Sequence, residues 1–261
     1  MSDGCILREV HGDIARITIA REPHRNALDD SAVASLVRAF QDLAGIAGLR
    51  AVVLTGAGER SFCAGYDLGC IDPHQDPSGD LPDDRFAHAT HAVSNSPVPV
   101  IAALRGGAWG GGLDLALACD LRIAHPDTSV AMPPCRLGLA YRQQGLQRFV
   151  ARIGPQATRR LFLLAEPIGA VEALRLGIVD ALDPNPLDLA TAWARTIGRN
   201  APLAVAGVRD ALAALESDPS LADPNTRQRL EAQRRAAFTS ADLSRGLEAA
   251  RQRRTPSFEG D

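Results

Sequence analysis

RGGAWGGGLDLALACDLRIA, residues 105–124, decides the reading of the fold. It follows PVPVIAAL (97–104), an apolar run with the composition of a buried strand, and it closes on a second such run, LRIA. Between them a glycine loop opens a helix, GGLDLALAC, that is apolar except for one carboxylate, Asp114. Strand, loop, helix and strand in that order make one turn of a parallel-rich sheet with right-handed crossovers. Glycine at 110–112 lets backbone approach a ligand closely, and the helix start directs free N–H groups and a positive dipole end at it. Taken alone, Gly110 to Gly112 are better read as allowing tight helix packing, since a lone run of three glycines is a weak signal.

The pattern extends outward. ILREVHGDIARITIA (6–20) reads as two strands around His11-Gly12-Asp13, the second alternating Ala15, Ile17, Ile19 against Ile14, Arg16, Thr18. A polar loop, REPHRNALDD (21–30), precedes an amphipathic helix over about Ser31–Ala44 with Val33, Leu36, Val37, Phe40 and Leu43 on one face, stopped by Gly45. The strand AVVLTG (51–56) leads into a second glycine loop, SFCAGYDLG (61–69). After about residue 143 the strands largely stop. QGLQRFVARIG, PQATRRLFLLA, AVEALRLG, PLDLATAWARTIGRN, PLAVAGVRDALAALE and 224–254 read as helices, with caps at Asp223 and Ser240 and a single late strand candidate, IVDAL (178–182). Leu230, Phe238, Leu243 and Leu247 supply apolar surface to pack on the core or on a second subunit.

Composition narrows the function. The 261 residues, 46% hydrophobic and 23% charged, suffice for a large α/β core. A net charge of -3, with the arginines of 227–254 interleaved with acids and apolar residues, leaves nucleic-acid binding no electrostatic footprint. Residues 1–20 show neither a signal peptide nor a membrane span, so the expected setting is the cytoplasm, with no membrane partner. The cysteines at 5, 63, 70, 119 and 135 show neither disulfide nor zinc spacing, and most are expected to be buried small apolar residues. His88 and His91 share a helix face without a third ligand, so no metal site is expected.

REPHRNALD, FCAGYDL and GGAWGGGLDLALACDLRIA, continued by AVEALRLGIVDAL, resemble the crotonase (enoyl-CoA hydratase/isomerase) superfamily over essentially the whole chain. The resemblance implies an α/β, crotonase-like (ClpP/crotonase) fold: a spiral of β-β-α units over 1–200 carrying the acyl-CoA site, and a helical trimerisation region over 201–261. It implies a homotrimer or a hexamer of two trimers, an acyl-CoA thioester as ligand, and no permanently bound cofactor, CoA being part of the substrate. The oxyanion donors it implies are the N–H groups of Tyr66 and Gly111. Arg25, Ala27, Ala64, Asp67 and Leu68 fall where the family holds the pantetheine arm and adenine, and Gly65 and Gly110 join that binding set.

Hydration in this family resembles a two-glutamate reaction. The first glutamate falls at Asp114; the second falls at Pro134, in AMPPCRLGLAYRQQG (131–145), which has no side chain to carry a proton. Decarboxylation of a malonyl-type thioester needs no base, because loss of CO2 itself generates the enolate. AWGGGLD, RLGLAYR and the C-terminal segment are similar to the methylmalonyl-CoA decarboxylase branch, in which Tyr141 corresponds to a tyrosine contacting the carboxylate. That branch's histidine, glutamate and threonine are Tyr66, Asp114 and Pro133 here. Tyr141 is alternatively a wall of the acyl pocket, Arg142 a solvent-facing helix start rather than an acid-binding group, and Arg253 solvated rather than on a CoA phosphate. Three readings stand: a decarboxylase-like lyase, which is preferred; an isomerase or hydratase using Asp114 alone; and a non-catalytic CoA-binding member of the family.

Overall fold

The computed structural model describes residues 4–71 and 81–261. β1 (Ile6–His11) and β2 (Ile14–Ile19) form an antiparallel hairpin, and the alternation of β2 leaves Ala15, Ile17 and Ile19 fully buried. α1 (Asp30–Gln41) starts where Asp29 accepts the N–H of Ala32 at 2.8 Å, and it buries Val33, Leu36 and Phe40. β3 (Ala51–Gly56), β4 (Ser61–Cys63) and α2 (Pro82–Ser94) follow; then β5 (Val100–Leu104), β6 (Gly107–Trp109) and α3 (Gly111–Ala118); then β7 (Leu121–Ala124), β8 (Ser129–Ala131) and α4 (Gln143–Arg159).

Each of these turns sends its first strand to one sheet and its second strand to another. The first sheet has the order β1-β2-β3-β5-β7 and ends on β10 (Ala181–Leu182), parallel from β2 onward, and the second has the order β4-β6-β8 and ends on β9 (Ile168–Gly169). The second sheet escapes a reading of periodicity because its strands are two or three residues long, too short to alternate visibly. α3 lies between packed layers, with Gly112 to Ala118 all buried, and this explains its apolar sequence.

α4 is broken at Gly154 (φ 77°, ψ 163°) before Pro155, where the sequence predicts two helices. β9 (Ile168–Gly169), not foreseen, is followed by α5 (Ala170–Arg175), and IVDAL contributes only β10 (Ala181–Leu182). The cysteine expectation is corrected. Cys63 and Cys119 are buried and Cys5 partly so, but Cys70 and Cys135 lie in exposed single-turn 3₁₀ helices. His88 and His91 both face solvent from α2.

The chain forms two compact units, Met1–Thr191 and Ala192–Asp261, with the division inside α6 (Pro186–Gly198). The second unit holds α7 (Pro202–Ser217), α8 (Pro224–Thr239) and α9 (Ala241–Arg251), with caps at Asp223 and Ser240 as expected. α7 and α8 bury no residue fully, and Phe238 is 67% exposed. No helix among the described residues is long and apolar enough to cross a membrane.

Candidate functional site

The loop 21–30 is held by a residue that sequence reasoning passed over. Arg25 and Asn26 are consecutive left-handed residues (φ 53° and 57°), a conformation that costs a non-glycine residue about 1–2 kcal/mol. Buried Asn26 offsets it, accepting from Arg21 N and donating to the carbonyls of Ala57 (2.9 Å) and Ser61 (2.6 Å). The loop then clamps the first glycine loop through Ala64 N to Arg25 O, Leu28 N to Gly65 O and Asp67 N to Leu28 O.

The two glycine loops touch. Gly65 has φ 93°, and a Cβ there would lie 2.8 Å from Trp109 O and 2.9 Å from Gly111 N. Only glycine fits that approach and that dihedral. Gly111 opens α3, so its N–H has no partner within the helix. Among the described residues, neither the Tyr66 nor the Gly111 N–H donates to the protein. Two free donors on abutting loops form an arrangement that can hold an oxyanion.

Both loops line a cavity of about 890 Å³. Of the residues singled out from sequence, Arg25, Ala27, Ala64, Tyr66, Leu68, Gly110, Gly111 and Tyr141 are in its wall; Gly65, Asp67, Asp114 and Arg142 are not. Arg253 lies in the second unit, exposed, with φ 54°. Pro133 and Pro134 are walls, as are Leu81, Phe86, Leu137 and Leu139. The sequence also places the segment 70–84 beside this space; its residues 72–80 lie outside the described ones.

Asp114 sits behind the wall, 2% exposed, with both oxygens engaged. Tyr141 Oη donates to Oδ2 at 2.8 Å, and Arg148 Nη1 donates to Oδ1 at 2.5 Å. Burial, with the neighbouring Asp114 charge, pushes the Tyr141 phenol well above its ordinary value, so it stays protonated. Its ring rests on Phe162 and over Gly145, where a Cβ would come within 2.4 Å of it. The presence of Arg148 was foreshadowed by Asp114 itself, since a carboxylate inside an apolar helix demands a buried cation. Which of the arginines of α4 answers it is not written in their spacing.

The remaining candidates face elsewhere. The Tyr66 hydroxyl donates to Asp30 at 2.6 Å, with the Arg85 guanidinium 5.8 Å from its ring centre. Asp67 accepts from Gly69 N and lies 3.8 Å from Arg21 and 3.7 Å from His24. Arg142 begins α4, and its backbone N–H donates to Asp83 Oδ2 at 3.0 Å. Asp83, a wall residue from the first turn of α2, is the second group that sequence reasoning missed. Among the described residues no group of three or more His, Cys, Asp or Glu side chains could hold a metal ion.

Comparison with known proteins gives a consistent result. The family model described as enoyl-CoA hydratase/isomerase matches residues 9–261. The probable enoyl-CoA hydratase echA6 of Mycobacterium tuberculosis is 34% identical over 249 residues, spanning 95% of this chain and 96% of its own. The (E)-benzylidenesuccinyl-CoA hydratase of Thauera aromatica is 33% identical over 98% of this chain and 99% of its own. An enoyl-CoA hydratase/carnithine racemase structure from Magnetospirillum magneticum superposes with a TM-score of 0.90 at 27% identity, covering 100% of this chain and 97% of that one.

Proposed function

The chain belongs to the enoyl-CoA hydratase/isomerase family, and from that premise we propose that the cavity takes an acyl-CoA thioester through an enolate held by the Tyr66 and Gly111 N–H groups. The observation that carries this reading is the contact of the two glycine loops, which leaves both donors free beside one cavity. A full charge on the enolate oxygen gains more from them than a neutral carbonyl does, so they lower the barrier as well as bind. The Arg25 guanidinium suits a CoA phosphate, with Ala27, Ala64 and Leu68 along the pantetheine arm.

The enolate is best made by moving a proton, as in hydration, dehydration or isomerisation. The cationic wall residues, Arg25 on the loop between β2 and α1 and Arg60 just before β4, contrast with α2 and the segment 133–141, which present Leu81, Phe86, Leu137 and Leu139. The Tyr141 hydroxyl already donates its hydrogen bond to Asp114. That surrounding suits an uncharged acyl chain better than a malonyl carboxylate. A second reading, decarboxylation of a malonyl-type thioester, is favoured by one feature: Pro134 and the sealed Asp114 leave both positions of the usual carboxylates without an accessible acid. In that reading Tyr141 would turn its proton toward the substrate carboxylate.

Incubation with crotonyl-, butyryl-, malonyl-, methylmalonyl- and ethylmalonyl-CoA in deuterated water, followed by mass spectrometry, tests both readings. Deuterium incorporation or hydration of the simple thioesters is the expected result. CO2 release confined to the malonyl-type thioesters would establish the second reading instead, and tight binding with no change in any thioester would identify a non-catalytic family member. The second unit, with exposed Val208, Leu212, Phe238 and Leu247, serves subunit packing in a trimer or hexamer; a monomeric mass in solution would refute that.

A further inference from the structure

We propose that Asp83, in the first turn of α2, is the acid/base carboxylate of this site, filling the role for which segment 131–145 supplies no residue. This rests on reading the cavity as an enolate-forming acyl-CoA site. Asp83 and Asp127 are the acids in the described wall, and Asp127 is exposed, its carboxylate 3.6 Å from His125.

Two contacts relate Asp83 to the Gly111 donor and to Tyr141. One turn further along the same face of α2 stands Phe86, whose ring would meet a Cβ on Gly111 at 2.8 Å. On the other side, Asp83 Oδ2 accepts the N–H of Arg142, the residue that follows Tyr141. The carboxylate therefore shares the cavity wall with the Gly111 donor and the Tyr141 phenol, and its charge is among those that push that phenol upward. Oδ1 has no hydrogen-bond partner among the described residues, whereas both oxygens of Asp114 are taken.

In the step this assigns, Asp83 takes the proton from Cα of the thioester. The C–H electron pair becomes the carbon–carbon double bond of the enolate, and the carbonyl π pair moves to the oxygen held by the Tyr66 and Gly111 N–H groups. Protonated Asp83 then returns the proton to Cα, or to Cγ of an unsaturated chain, which restores the thioester and the carboxylate. Nothing else is consumed.

Asp83→Asn keeps an oxygen for the Arg142 N–H and removes the basicity. Exchange of the α-protons of butyryl-CoA, and of the γ-protons of crotonyl-CoA by the reverse of the transfer to Cγ, with deuterated solvent should fall by about 10²–10⁴-fold, while acyl-CoA binding, read by thermal shift, stays near wild type. In Asp83→Ala, added formate should restore part of the exchange, a rescue that a purely structural role would not show. Wild-type exchange in a folded Asp83→Asn protein that binds the thioester overturns the assignment and leaves the enolate reading standing. Absence of exchange in wild type, despite binding, overturns both. If Asp83→Asn folds poorly, the folded fraction of Asp83→Ala decides, and failure of formate to restore exchange overturns the proposal.

Discussion

The Tyr141 hydroxyl donates to Asp114 Oδ2 across 2.8 Å, and this single bond changes what each residue can do. A phenol has one proton, so with that proton committed to Asp114 its oxygen meets the cavity as an acceptor. Asp114, with Arg148 on its other oxygen, orients Tyr141 from behind the cavity wall, where it is 2% exposed.

Arg148→Met should therefore destabilise the protein by about 3–5 kcal/mol, because it leaves a buried carboxylate without its cation. The double variant Arg148→Met with Asp114→Leu should lose much less than the sum of the two single losses. Urea denaturation of the four proteins gives the coupling energy; strictly additive losses would show that the pair does not act as a unit.

Both tyrosines of the chain should resist ionisation. Burial raises Tyr141, assisted by the Asp114 charge, and desolvation raises Tyr66, assisted by its hydrogen bond to Asp30. With the folded pKa above the unfolded value, the stability contribution is complete below about pH 10 and is lost as pH rises from there through the folded value. Absorbance near 295 nm should thus show no tyrosinate in native protein at about pH 10, and then a rise coincident with unfolding. An ordinary titration of either ring in folded protein would contradict the assigned environments.

Gly65→Ala should abolish turnover before it abolishes folding. The added methyl would lie 2.9 Å from Gly111 N at a backbone φ of 93°, so the loops must separate and the two donors diverge. A loss in kcat on the order of a hundredfold or more is expected, against little change in Gly169→Ala, where nothing lies within 4 Å. Steady-state kinetics on any thioester that wild type processes checks this, and retained kcat would remove the oxyanion argument.

In the second unit, Asp242 is 1% exposed and accepts the N–H groups of Glu259 (2.9 Å) and Gly260 (2.8 Å) as well as a bond from Arg245. Asp242→Ala should release the C-terminal segment. Hydrogen exchange at residues 259–260 should accelerate severalfold in a protein whose first unit is unchanged, and unchanged protection would show that the tail is held by other contacts.

Much of this molecule was legible in the chain. The alternation of β2, the apolar runs of β3, β5 and β7, and the punctuation at Gly154-Pro155, Asp223 and Ser240 are local signals, and they mark the elements because a strand or a helix must bury one face and satisfy its ends. Strands of two or three residues carry no such period, so of the second sheet only β4 and β6 were visible, as parts of the glycine loops. The exposed cysteines were misread for a related reason: a single turn has no face whose burial its neighbours reveal.

The sequence by itself determined that two glycine loops follow two strands, that a helix starts at the second of them, and that Pro134 brings no acid to the position where the family resemblance would seek one. Only the tertiary structure decided which carboxylate is free. Asp114, at the position matching the family's first glutamate, is closed off by Tyr141 and Arg148, 27 and 34 residues further along, while Asp83, in an unremarked helix turn, reaches the cavity wall and receives Arg142 from 59 residues away. Whether a carboxylate can take up a proton depends on what fills its lone pairs and on its access to the cavity, and both are set by partners distant in the chain.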